Sequence, residues 1–236
     1  MNKRVIGIVQ ARMGSTRLKE KMMKKIDCYP LIYWVLQRTL KSNLTNKIIL
    51  AATTNSNDDR LVEVANNLKI DVFRGSETNV IDRFIKASEK YNADYIVRIC
   101  ADNPFIDGQE IDRLIKEYFS GEYDYAFNNC SKKMSRYSDG FGAEIISYHL
   151  LQKISNLPLN NSQEEHVTKY IWDNLPRFKI LALKSPKELS YPDLKFDIDT
   201  LEDFEYIKLL ISNGVKINSK ADEIVKIALR ISKDRY

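Results

Sequence analysis

RVIGIVQ (residues 4–10) is a short, β-branched apolar run that passes directly into the polar stretch ARMGSTRLKEK (residues 11–21). The first reads as a buried strand and the second as a glycine-containing loop leaving its carboxyl end. Pro30 suits the first turn of a helix, whose apolar positions Leu31, Ile32, Val35, Leu36 and Leu40 recur at helical spacing. A strand, a polar loop and a helix in that order form the opening unit of an α/β sheet.

The same alternation continues downstream. Residues 47–52 read as a second strand, and Asp58 precedes a helical pattern through Leu61, Val62, Val64, Ala65 and Leu68. A short strand follows at residues 71–74. Asn79 can cap a helix carrying Val80, Ile81, Phe84, Ala87 and Tyr91, and residues 95–100 form a fourth strand. Repeated β-then-α order predicts a mainly parallel sheet. Beyond it we expect a helix over 108–119, a strand over 123–127 and a polar, patternless loop or lid over 128–138. A strand over 141–147, short helices over 148–154 and 164–172, and a returning strand over 178–183 follow. After an extended stretch over 194–198, an amphipathic helix runs through Leu201, Phe204, Ile207, Leu210 and Ile211, and a last helix lies around 224–231. With no linker, repeat or low-complexity segment, residues 1–236 read as a single α/β domain.

Composition narrows the function classes. The 236 residues are 44% hydrophobic, enough for a sizeable core. The net charge of +5 comes from 37 basic residues interspersed with 32 acidic ones, without the long one-sign run of a nucleic-acid binder. No apolar run approaches the ~20 residues that span a bilayer, and the N-terminus lacks a secretory apolar region, so a cytoplasmic protein without membrane insertion is expected. Cys28, Cys100 and Cys130 are far apart and without metal-ligand spacing, so free thiols are expected.

The loop after the first strand carries Arg12, Arg17, Lys19 and Lys21 around Gly14. Fixed cations and exposed backbone N–H groups at the carboxyl edge of a sheet suit a polyphosphate. Neither the Walker A spacing nor the G-x-G-x-x-G fingerprint is present. By itself the loop reads equally well as a basic surface turn. In RICADNPFID (98–107), Asp102 falls just past the fourth strand; it is either a turn or capping residue or a metal ligand at the ligand-binding edge. In FDIDTLEDF (196–204), Asp197 and Asp199 alternate on an extended segment, which places both on one face. Magnesium takes one or two carboxylates together with phosphate oxygens, so Asp102 and Asp199 converging on the loop would complete a nucleotide site. The competing reading makes Asp199 or Thr200 a helix cap. His166, beside Glu165, is either a substrate-orienting group or base, or a structural residue. His149 has no supporting motif, and Tyr170 with Trp172 reads as core or subunit interface.

Five ordered blocks, QARMGSTRL (10–18), FRGSE (73–77), ADNPFID (101–107), EHVT (165–168) and DTLEDF (199–204), resemble the acylneuraminate and keto-deoxy-octulosonate cytidylyltransferase-like family, specifically its spore-coat-polysaccharide branch. The resemblance covers nearly the whole chain. It implies a Rossmann-like, mostly parallel sheet flanked by helices, of the nucleotide-diphospho-sugar transferase type, with residues 128–176 as an acceptor-binding and dimerisation excursion. It implies transfer of CMP from CTP to an acidic sugar-type acceptor with release of pyrophosphate, using Mg2+, in a homodimer. Arg12, Ser15 and Lys21 would hold phosphates, and Asp102 and Asp199 the magnesium. Ala11, Gly14, Thr53 and Arg74 lie in or near the blocks that line the nucleotide, while Arg98, Glu144, Glu165 and His166 fall where the acceptor is expected. A sugar-nucleotide glycosyltransferase and a non-catalytic nucleotide-binding module are the alternatives. The chain departs from the family by placing Lys19 and Glu20 where Pro-Gly precedes the loop lysine, which removes an easy positive φ and adds a negative charge.

Overall fold

In the computed structural model, which describes residues 3–129 and 134–233, the chain alternates strands and helices as its hydrophobic periodicity requires. The elements are β1 (Val5–Gln10), the two-residue strands β2 (Lys25–Ile26) and β3 (Tyr29–Pro30), α1 (Leu31–Thr39), β4 (Lys47–Thr53), α2 (Asp59–Asn67), β5 (Asp71–Gly75), α3 (Val80–Lys90), β6 (Tyr95–Cys100) and α4 (Gly108–Phe119). They continue with β7 (Tyr125–Phe127), β8 (Glu144–Ser147), α5 (Tyr148–Ser155), α6 (Asn161–Glu165), α7 (Lys169–Asp173), β9 (Ile180–Ala182), α8 (Leu201–Ser212) and α9 (Ala221–Lys233).

Among the described residues, seven strands form one sheet in the order β5-β4-β1-β6-β8-β7-β9, and β2 pairs with β3 as a separate ribbon. β1 lies between two parallel neighbours, with Ile8 opposite Ile49 on β4 and Arg98 on β6. Helices cover both faces of this region, which is why its strands are nearly continuous apolar runs. Only β8 reverses direction, running antiparallel to β6 and to β7, so the sheet is mostly parallel as expected. One apolar layer packs α1, α2, α4, α8 and α9 on one face, and a second packs α3, α5 and α7 on the other. Trp172 belongs to the second layer, its ring 5.0 Å from Phe127 and 6.1 Å from Tyr125. No helix among the described residues is long and apolar enough to cross a membrane.

Several boundaries differ from the sequence expectation. The strand expected from residue 141 starts at Glu144, because the preceding backbone is held on Asn128: Ala143 N donates to Asn128 Oδ1 at 2.8 Å, and a Cβ on Gly142 would lie 2.1 Å from Asn128 O. The single helix expected over 164–172 is two short helices, α6 and α7, because His166 leaves the helix with an extended backbone. The extended stretch 194–198 joins no strand and makes an isolated bridge from Lys195 to Asp139. Residues 130–133 of the expected loop, Cys130 included, lie outside the described residues. The α3 cap is as read, with Asn79 Oδ1 accepting from Asp82 N at 2.8 Å.

Candidate active site

Because β1 and β6 are adjacent and parallel, Gln10 and Cys100 end side by side and their following loops leave from the same edge of the sheet. A cleft of about 300 Å3 opens there, walled by Arg12, Gly14, Ser15, Arg17 and Lys21 on one side and Asp102 on the other. The loop after β1 is tied down by the buried Asp58. Its Oδ1 accepts from Met13 N at 2.7 Å, and its Oδ2 accepts from Thr53 N at 2.8 Å and Thr53 Oγ1 at 2.6 Å.

Lys21 is nearly buried, and its ammonium is the point where distant segments meet. Nζ donates to Ile198 O at 2.6 Å and lies 3.4 Å from Asp199 Oδ1 and 3.7 Å from Asp102 Oδ2. Arg17 Nη1 reaches Asp199 Oδ2 at 2.9 Å. The two acidic segments are also joined through their backbones, since Ile198 N donates to Asp102 O at 2.9 Å. Asp199 is free for these contacts because Thr200 and Asp203 make the reciprocal cap of α8: Thr200 Oγ1 accepts from Asp203 N at 3.2 Å and Asp203 Oδ2 from Thr200 N at 2.8 Å. The cap therefore falls to Thr200 and Asp203 and leaves both Asp199 oxygens to Lys21 and Arg17, while Asp199 itself, unlike Asp102, is not among the residues that line the cleft.

Asp197 makes different contacts from Asp199. Its Oδ2 faces Lys195 at 3.4 Å, while its buried Oδ1 has no hydrogen-bond partner. Burial, with the Asp102 charge adding to it, holds its carboxyl above the usual range. Glu20 adopts the left-handed backbone with φ 53° that glycine would favour, and its carboxylate pairs with Arg60 on α2, away from the residues that wall the cleft.

The third wall is formed by Arg98, Glu165 and His166. Arg98 Nη1 donates to Glu144 Oε2 at 2.6 Å and Nε to Gln10 Oε1 at 3.1 Å. Glu144 also accepts from Thr168 Oγ1 at 3.3 Å and from Asn129 Nδ2 at 3.4 Å. It is buried beneath Arg98 and does not line the cleft. Across the opening, Arg12 Nη2 meets Glu165 Oε1 at 3.1 Å. Thr53 and Arg74 are not among the lining residues either. Thr53 fastens Asp58, and Arg74 braces the turn after β4, donating to Thr53 O at 2.8 Å, Asn55 O at 2.7 Å and Asp59 Oδ1 at 2.5 Å.

A family model described as Cytidylyltransferase matches residues 6–228. The chain belongs to the cytidylyltransferase family. It is 31% identical to the spore coat polysaccharide biosynthesis protein SpsF of Bacillus subtilis over 232 residues, covering 96% of this chain and 94% of that protein. It is 32% identical to a 3-deoxy-manno-octulosonate cytidylyltransferase of Chlorobaculum parvum over 117 residues, 49% of this chain and 46% of that one. A solved cytidylyltransferase from Leptospira borgpetersenii superposes with a TM-score of 0.87 at 28% identity, over 99% of this chain and 95% of that one.

Two further groups at the cytidylyltransferase cleft carry no motif. Cys100 lines it, and burial pushes its thiol up to about 12, so it stays protonated at neutral pH and is a poor nucleophile. Arg83 lines it from α3; its sequence signal is a charged residue on the apolar stripe of Val80, Phe84 and Ala87. Asp58 was legible only as the residue before a helix, since its loop-anchoring partners Met13 and Thr53 come from other elements.

Proposed function

We propose that this chain transfers CMP from CTP to an oxygen of an acidic sugar-type acceptor and releases pyrophosphate, in the synthesis of a surface polysaccharide or related glycoconjugate. The observation that carries the reading is the meeting of Asp102, Asp199 and the loop cations at Lys21, on the sheet edge where α/β proteins take nucleotides. Family membership supports the reaction class. The names of the Bacillus and Chlorobaculum relatives support an acidic sugar and a polysaccharide setting.

In the reaction, the acceptor oxygen bonds to the α-phosphorus, the bond from that phosphorus to the oxygen bridging to the β-phosphorus breaks, and the acceptor proton passes to solvent. Arg12, Arg17 and Lys21 bind the triphosphate and offset the charge that grows on departing pyrophosphate. Ser15 and the backbone around Gly14 supply hydrogen-bond donors. Arg98, held rigid by Glu144 and Gln10, presents a fixed cation to the acidic acceptor, and Glu165 and His166 orient it for in-line attack.

The donor set fits a hard divalent cation. Two carboxylates converge on one ammonium, and among the described residues no cluster of three or more His, Cys, Asp or Glu could hold a metal unaided, so the remaining ligands would be phosphate oxygens and water. Asp102 and Asp199 would hold magnesium, which when bound neutralises triphosphate charge.

The deciding experiment measures pyrophosphate release with CTP, magnesium and a panel of acidic sugars, beside ATP, GTP and UTP and with chelator. Pyrophosphate from CTP and one acidic sugar is the expected result. Release of nucleoside diphosphate from a sugar nucleotide, or nucleotide binding with no turnover for any acceptor, replaces the proposal.

A further inference from the structure

Three oxygens surround the Lys21 ammonium, one backbone carbonyl and two carboxylates: Ile198 O at 2.6 Å, Asp199 Oδ1 at 3.4 Å and Asp102 Oδ2 at 3.7 Å. An all-oxygen set carrying two negative charges suits a hard divalent cation. Here it surrounds a single positive charge. Arg17 Nη1 takes the other Asp199 oxygen at 2.9 Å, so both oxygens of that residue are engaged by the chain's own cations.

The two cations do not hold Asp199 equally. The Arg17 side chain is 68% exposed and that of Lys21 only 10%. An exposed pair is screened by water and salt, whereas a nearly buried one is screened much less. The backbone of Lys21 is fixed, since its N donates to Leu18 O at 3.2 Å and the next residue, Met22, is in the core. Its side chain lines the cleft onto which Asp102 also opens, so the ammonium can swing into that space.

An ammonium and a divalent ion cannot share these carboxylates. Magnesium needs oxygens at about 2.0–2.1 Å, inside the distances Lys21 keeps, and its double charge repels the ammonium. Entry of one therefore expels the other. An expelled Lys21 turns into the cleft, where a triphosphate gives it new anionic partners.

We propose that Lys21 is a resident counter-ion that occupies the magnesium position between Asp102 and Asp199, blocks divalent-ion binding until it is displaced, and carries its charge to the triphosphate when it leaves. The inference rests on the metal and CTP reading above and adds the regulation of that site. Linkage makes the effect reciprocal: a triphosphate that draws Lys21 away tightens metal binding by the factor with which the metal tightens triphosphate binding.

The test titrates nucleotide-free protein with Mn2+ alone, reading free Mn2+ by electron paramagnetic resonance. Lys21→Met, which removes the charge, should bind Mn2+ about tenfold or more tightly than wild type. Lys21→Arg, which keeps the charge, and Arg17→Met, which removes only the exposed partner, should each stay within about threefold of wild type. Adding Asp199→Asn to Lys21→Met should abolish the gain. In thermal unfolding, Mn2+ should stabilise Lys21→Met more than wild type. A lysine that serves only to bind phosphate would leave Mn2+ affinity unchanged. Equal or weaker binding by Lys21→Met, or the same gain in Lys21→Arg, overturns the proposal. Should Lys21→Met fail to fold, wild type decides: acetic anhydride should label Lys21 faster with saturating Mn2+ than with chelator, read by peptide mass spectrometry, and unchanged labelling overturns the proposal. If neither wild type nor any variant binds Mn2+, the metal assignment itself falls; if all bind it equally, only the role of Lys21 does.

Discussion

The Lys21 ammonium stands 3.4 Å from Asp199 Oδ1, joining residues 178 positions apart in the chain. Asp102 Oδ2 lies 3.7 Å from the same nitrogen, so one cation organises both carboxylates. Asp102→Asn and Asp199→Asn should each lower turnover at least about a hundredfold, roughly 3 kcal/mol of transition-state stabilisation. Both should stay folded, because amide and carboxylate match in size and Thr200, not Asp199, caps α8. Pyrophosphate release and thermal unfolding measured together check this; near-normal turnover in both would remove the metal assignment.

Glu20 occupies a left-handed backbone that costs a non-glycine residue on the order of 1 kcal/mol. Its ion pair with Arg60 is half exposed and returns only ~0–1 kcal/mol. Glu20→Gly should therefore leave the protein equally stable or up to about 1 kcal/mol more stable in urea unfolding. Because the carboxylate points to α2, turnover with CTP should stay within about threefold of wild type. A tenfold gain would mean that Glu20 repels the triphosphate after all.

What the sequence disclosed follows from how local each feature is. β6 and α4 end where their apolar periods end, and the runs 95–100 and 108–119 are legible because flanking turn residues close them. Asp102 and Asp199 were legible as candidates because each follows an extended run at the edge where such sheets bind ligands. The antiparallel insertion of β8 between β6 and β7 has no local signature, since strand order depends on which edges remain open after the parallel core forms. Glu144 illustrates the same limit. The family resemblance put it in the region expected to face the acceptor, but its burial under Arg98, 46 residues away, is a tertiary fact. Arg74 sits inside a motif block and Thr53 outside all five, yet both spend their polar groups on Asp58 and the turn after β4, which no spacing reveals.

The Arg98–Glu144 pair is buried on both sides, so removing one partner strands the other charge. Glu144→Ala should cost about 3–5 kcal/mol in chemical unfolding, the range for breaking a buried pair. Glu144→Gln keeps an oxygen acceptor for Arg98 and should cost less. Equal stability of Glu144→Ala and wild type would show that water enters beneath Arg98 and that the pair does not hold it rigid.

Cys28 is exposed, whereas Cys100 lies at the end of β6 with its thiol pushed by burial from 9.0 up to about 12. Thiolate is the reactive form, so iodoacetamide at pH 8 should modify Cys28 and spare Cys100 until the protein unfolds. Peptide mass spectrometry over time, with and without denaturant, checks this. The sign for stability follows from proton uptake. Above pH 9 the unfolded chain releases this proton while the folded chain keeps it, so the folded state binds more protons and stability falls as pH rises from about 9 towards about 12. Cys100→Ala should remove that share of the alkaline loss, giving a shallower decline between pH 9 and 10 than wild type. Labelling of Cys100 at the rate of Cys28 in the folded protein would show that the cleft floor is open to solvent and that this thiol is not shielded.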